Sequence, residues 1–163
     1  MLELNFTSES DTFSDALREY RDIWNERGAE IVSSLEAASH LSFSTSVIGA
    51  KVYEGPSYSG DENTPMKLRA SYSQNTKLAT LTHELGHVLL SDNEIAPEED
   101  QDIHDILFLF LFDAWVQLEG EEFAKKQVEI EKKRGERYVE SWNRCLSLAK
   151  KERKNNFQEM LSK

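Results

Sequence analysis

The chain has one cysteine and three prolines in 163 residues, and it lacks any long apolar run. The lone Cys145 excludes an internal disulfide and a thiolate zinc cluster, and it fits a reducing compartment. The longest apolar stretch, Ile106–Phe112, is far short of the roughly 20 residues that span a bilayer, so no membrane partner is expected. The opening MLELNFTSESD has neither a basic segment nor an apolar core, so no signal peptide is expected and a soluble, cytoplasmic protein is. There is no phosphate-cradling glycine loop, internal repeat or low-complexity linker.

Positive charge is also scarce over most of the chain. The net charge is −11, but from Glu121 onward 12 basic residues face 8 acidic ones, whereas before it 7 face 22. An acidic body argues against a phosphate backbone as partner, so no nucleic acid is expected. The basic charges of the tail are interleaved at helical spacing and read as a solvated helix face. The hydrophobic content of 39% is ordinary for a globular chain of one-domain size. Residues 1–120 read as the body and 121–163 as a helical extension packed on the same domain.

Periodicity gives mostly helix. Ser10–Ala38 carries Phe13, Leu17, Tyr20, Trp24, Ile31 and Leu35 near one face, with Gly28 as a candidate bend and His40 as a residue that caps the last carbonyls. Leu41–Val47 alternates as a half-buried strand, extended past Gly49 to Tyr53, and Met66–Tyr72 alternates again after a loop at Gly55–Pro65. Pro97 with Glu98, Glu99 and Asp100 has the form of a helix start, and that helix runs to Leu118 or Glu119, stopping at Gly120. Two further helices, Glu121–Arg134 and Glu136–Leu161, complete the chain. The fold class is α+β, mostly helical, with a small antiparallel or mixed sheet beside the central helix.

That central helix, Lys77–Leu90, holds the one pattern that carries chemistry: His83-Glu84-Leu85-Gly86-His87. At about 3.6 residues per turn, positions i and i+4 share a face, so both imidazoles can grip one ion. Glu84 sits roughly 100° round from His83, beside the ion, where it can hold an attacking water. Ser73, Asn75 and Thr76 offer a helix cap, and Leu78, Leu81, Leu85 and Val88 form a stripe that buries the helix. Gly86 costs helix stability, which a close approach by a neighbouring strand or substrate would explain.

A catalytic zinc takes three protein ligands and keeps one open position. His104, near the start of the next helix, is the expected third, with Asp100 one turn earlier placed to orient its second nitrogen. Asp113 is a competing ligand, since a carboxylate in so apolar a helix needs a reason to be there; Asp105 and Glu99 are weaker competitors. Asn93 stands where metzincins place a third histidine and Leu90 where they place a glycine, which argues against that subclass.

On the HELGH helix, the alternating strand before it and the ligand-bearing helix after it, the region Met66–Trp115 resembles the zincin metallopeptidases, in a small, gluzincin-like, single-domain form. The resemblance implies a Zn2+ cofactor held by His83 and His87, with Glu84 as general base and proton shuttle. The gluzincin pattern places a glutamate as third ligand, where this chain offers His104. The resemblance also implies a histidine or tyrosine that steadies the oxyanion, for which Tyr72 and Tyr58 are candidates. The expected activity is zinc-dependent hydrolysis of a protein or peptide substrate, aligned on the free edge of Met66–Tyr72. So small a domain leaves little wall for a deep pocket, so specificity conferred by a docked regulatory partner, or latency, is expected. The alternative is a non-catalytic, zinc-stabilised interaction or regulatory module.

Overall fold

A computed structural model describes residues 2–61 and 64–161. The order is β1 (Glu3–Ser8), a 3₁₀ turn, α1 (Ser14–Ser39), β2 (Val47–Tyr53), β3 (Met66–Arg69), α2 (Gln74–Asp92), α3 (Ile103–Glu119), α4 (Glu121–Glu131), a second 3₁₀ turn (Lys132–Arg134), α5 (Glu136–Leu146) and α6 (Lys150–Leu161). The α+β class holds, and no helix among the described residues is long and apolar enough to cross a membrane.

The sheet is neither antiparallel nor mixed. Its three strands lie in the order β1-β2-β3 and both pairings are parallel. Parallel neighbours need a crossover of a dozen or so residues. The α1 helix supplies it between β1 and β2, and the loop between Tyr53 and Met66 supplies it between β2 and β3. The first strand, which the reading above left out, is held by Leu4 and Phe6, buried in alternation with exposed neighbours. The second begins later than expected, at Val47, because Ser44 and Thr45 give their backbone N–H groups to the Asp92 carboxylate at 2.8 and 2.9 Å instead of to a ladder.

The helices differ from expectation in their ends. α1 is unbroken at Gly28, where a Cβ would meet the Trp24 ring at 2.9 Å, so the missing side chain seats an indole and does not bend the helix. Its last turn closes through the backbone N–H of His40 to Glu36, with His40 at φ 61. α3 starts at Ile103, capped by Asp102, and not at Pro97. The last expected helix is two, α5 and α6, separated at Ser147–Ala149.

α3 is the centre of the core. Every residue from Ile106 to Phe112 is buried, as are Ala114 and Trp115, and α1, α2, α4, α5 and α6 all pack on it. At roughly 1.5–3 kcal/mol per large apolar side chain, this one helix anchors much of the fold. At Gly86 of α2 a side chain of α3 fills the space of a Cβ, which would meet Leu107 Cδ1 at 2.6 Å. The close approach is therefore by a helix, not by a strand or substrate.

Candidate metal centre

The α2 helix is capped by Ser73, whose hydroxyl accepts from the Thr76 N–H, and its regular winding sets two histidines on one face. The Nε2 atoms of His83 and His87 lie 3.1 Å apart. The loop after α2 returns the chain so that the first turn of α3 brings His104 against them, with ring centroids 5.4 Å from His83 and 5.0 Å from His87. One ligand atom from each of the three lies within 4.8 Å of the other two.

Carboxylates stand behind two of these rings. Asp102 Oδ1 accepts from the His104 backbone N–H at 2.9 Å and lies 2.7 Å from its Nδ1. The same residue thus caps α3 and orients the imidazole, the part expected of Asp100, which is exposed. Glu131, at the end of α4, puts Oε1 2.6 Å from His83 Nδ1, a close electrostatic contact that is not aligned as a hydrogen bond. Its other oxygen accepts from Trp142 Nε1 at 3.0 Å. Ionised carboxylates only accept, so the nitrogens facing them carry protons, and a metal would be met by the Nε2 atom of each ring.

Burial sets the electrostatics. It pushes His87 well below the ordinary imidazole range, helped by His83, His104 and Arg134. It also lowers His104, against the pull of Asp102. Burial raises Asp102 and Glu131, but both end below the usual carboxylate range: the backbone and ring of His104 outweigh it for Asp102, and His83 and Arg134 do so for Glu131. Glu84 goes the other way. It is 3% exposed, and burial holds its carboxyl above the usual range despite His83 and Arg134. No hydrogen bond reaches its carboxylate among the described residues.

The remaining candidates lie elsewhere. Asp113 accepts from Arg153 at 2.9 and 3.3 Å, so its place in the apolar helix is explained by a buried ion pair, away from the histidines. Asp105 pairs with Arg144 at 2.9 Å, and Glu99 is exposed. His40 is outside the cluster. Tyr58 is 45% exposed and engages Asp61, while Tyr72 lies under the Arg69 guanidinium. The β3 edge is already partly paired, by Tyr58 N–H to the Lys67 carbonyl at 3.0 Å and the reverse bond at 2.7 Å. It is not the free edge expected for a substrate strand.

Three residues of the C-terminal region join the site without a sequence signal that connects them to it. Besides Glu131, the Tyr138 ring packs on His104 with centroids 4.5 Å apart, and the Arg134 guanidinium lies 5.5 Å over that ring. Glu131, Arg134 and Tyr138 come from α4, the second 3₁₀ turn and α5, and Gly135 at φ 151 breaks the helix between them, so no local spacing signals their convergence.

The donor set fits a zinc ion. Three neutral imidazoles are zinc ligands, and a tetrahedral site with Zn–N of about 2.0–2.1 Å sets its ligand atoms roughly 3.3 Å apart. The His83–His87 separation is close to that edge. No family model, curated protein or solved structure matches the chain.

Proposed function

We propose that the protein is a zinc-dependent peptidase acting on a protein or peptide substrate, with His83, His87 and His104 holding the metal and Glu84 as general base. The observation that carries this reading is the convergence of three imidazoles within 4.8 Å, two of them backed by carboxylates, with Glu84 next in the chain to one ligand. Zinc bound there polarises a carbonyl and acidifies a water. Glu84 takes the proton of the attacking water and returns it to the leaving amine; a carboxyl held above its usual range by burial is suited to carry a proton both ways. Arg134 and Tyr138, beside the histidines, supply positive charge and a hydroxyl for the oxygen that becomes negative. Asp102 and Glu131 hold two ligand rings in orientation.

One observation favours a second reading, a non-catalytic zinc-stabilised interaction module: His83 and Glu84 are almost fully enclosed, at 1% and 3% exposure. The two readings separate in one experiment. Zinc per chain is measured by elemental analysis in the wild type and in Glu84→Gln, and both are assayed against a mixed peptide library. The peptidase reading expects close to one zinc in each and hydrolysis only in the wild type. One zinc and no turnover in either favours the module. No zinc in either after reconstitution sinks both.

A further inference from the structure

A groove of about 780 Å³ opens beside His87, between the second half of α2 and the starts of β2 and β3. Its walls are built. Asp92 holds one through bonds from Ser44 N–H, Thr45 N–H and the Thr45 hydroxyl at 2.8, 2.9 and 2.6 Å. The other is held by Asp61 N–H to Thr64 O at 2.9 Å, with Gly60 at φ 82 and no room for a Cβ against that carbonyl. Val47, Ile48 and Val88 give it an apolar lining, and Val47 is left 52% exposed. Three carboxylates, Asp61, Asp92 and Glu94, also line it, and no lysine or arginine does among the described residues.

Geometry sets the length of what fits. α2 ends at Asp92, about 7.5 Å along its axis from His87 at the helical rise of about 1.5 Å per residue, and Glu94 follows just beyond, so the groove spans more than two residues of an extended chain at ~3.3 Å each. With apolar walls and Asp61, Asp92 and Glu94 beside them, an occupant presents apolar side chains together with positive charge. The surrounding body, with 22 acidic against 7 basic residues before Glu121, steers cations toward it.

We infer that this groove takes an extended polypeptide segment carrying Lys or Arg a few residues from the peptide bond presented at His87, which names the substrate class of the peptidase reading and rests on it.

The test uses the full chain loaded with zinc and carrying Glu84→Gln, with two fluorescent decapeptides of identical apolar residues, one bearing three lysines and the other three glutamates. The lysine peptide is expected to bind at least tenfold tighter, and less so as salt rises. Glu94→Lys is expected to weaken it about tenfold, and Val47→Trp, which fills the groove from an exposed wall position, to weaken both peptides. Glu99→Lys makes the same charge change outside the groove and is expected to leave binding unaltered. Equal binding of the two peptides, or an equal effect of Glu94→Lys and Glu99→Lys, overturns the inference. Failure of the peptidase reading looks different: the Glu84-intact chain binds the lysine peptide through Glu94 and does not cleave it. Cleavage of both peptides with equal kcat/KM keeps the peptidase and removes the groove.

Discussion

His83 Nδ1 and Glu131 Oε1 lie 2.6 Å apart, with side chains 1% and 5% exposed. The contact joins the motif helix to the end of α4, so the C-terminal region helps build the candidate centre. Trp142 holds the other oxygen of Glu131, which fixes the carboxylate from both sides. Removing such an outer partner typically lowers metal affinity 10- to 100-fold. Glu131→Gln is therefore expected to weaken zinc binding by about that factor in a chelator competition, while Glu84→Gln leaves it within about threefold. Equal affinities for the wild type and Glu131→Gln would remove Glu131 from the site.

His104 and Asp113 separate by the same logic. His104→Ala is expected to lose zinc on dialysis, since two imidazoles alone make a weak site. Asp113→Ala is expected to keep about one zinc and to lose stability, because it strands the buried Arg153 charge; breaking such a pair costs about 3–5 kcal/mol. Denaturant melts alongside zinc analysis check both halves. Zinc lost from Asp113→Ala at full folding would return that carboxylate to the ligand set.

What could be read from the sequence follows the range of the interactions. The two histidines of α2 share a face because helical spacing is local, and that needs no tertiary information. His104 is brought to them by the loop between Asn93 and Asp102, whose path the sequence does not specify. The residue behind His104 is its own helix cap, Asp102, and not Asp100, because the helix begins six residues after Pro97. Glu131, Arg134 and Tyr138 converge through packing on α3, and on the chain alone Glu131 and Arg134 look like a charged helix face and Tyr138 like a packing residue. The direction of the strands is hidden for a similar reason. Alternation marks strands but not their direction, and the partner that makes β2 parallel is a six-residue strand at the start of the chain.

Acid should destabilise the metal-free protein through its histidines. His87 and His104 titrate below the ordinary range in the fold, whereas in the unfolded chain they take protons at about pH 6.5. From there downward the unfolded state binds more protons, so stability falls with pH, by up to about 1.4 kcal/mol per unit for each group. Glu84 has the opposite sign: its carboxyl is raised in the fold, so over its own window falling pH favours the folded state. Metal-free Glu84→Gln isolates the histidines. Its urea midpoint is expected to drop steadily between pH 7 and pH 5, and the slope is expected to shrink when His87→Gln is added. A flat profile would contradict the buried, neutral imidazoles.

Cys145 is expected to be inert. It is buried on α5, its thiol donates to the Phe108 carbonyl at 3.0 Å, and burial pushes its pKa up to about 12. The thiolate is the reactive form, so at pH 8 almost none is present, and the sulfur is also shielded from reagents. Iodoacetamide at pH 8 should therefore leave the folded chain unmodified and alkylate it fully in denaturant, as read by intact mass. The comparison also measures local opening, because labelling without denaturant requires α5 to leave α3. Glu131 and Tyr138 pack against His83 and His104, so on the proposed metal site chelation of zinc loosens that packing, and labelling is expected to be faster after metal removal than before. Equal rates would mean that the C-terminal helices hold to α3 independently of the metal.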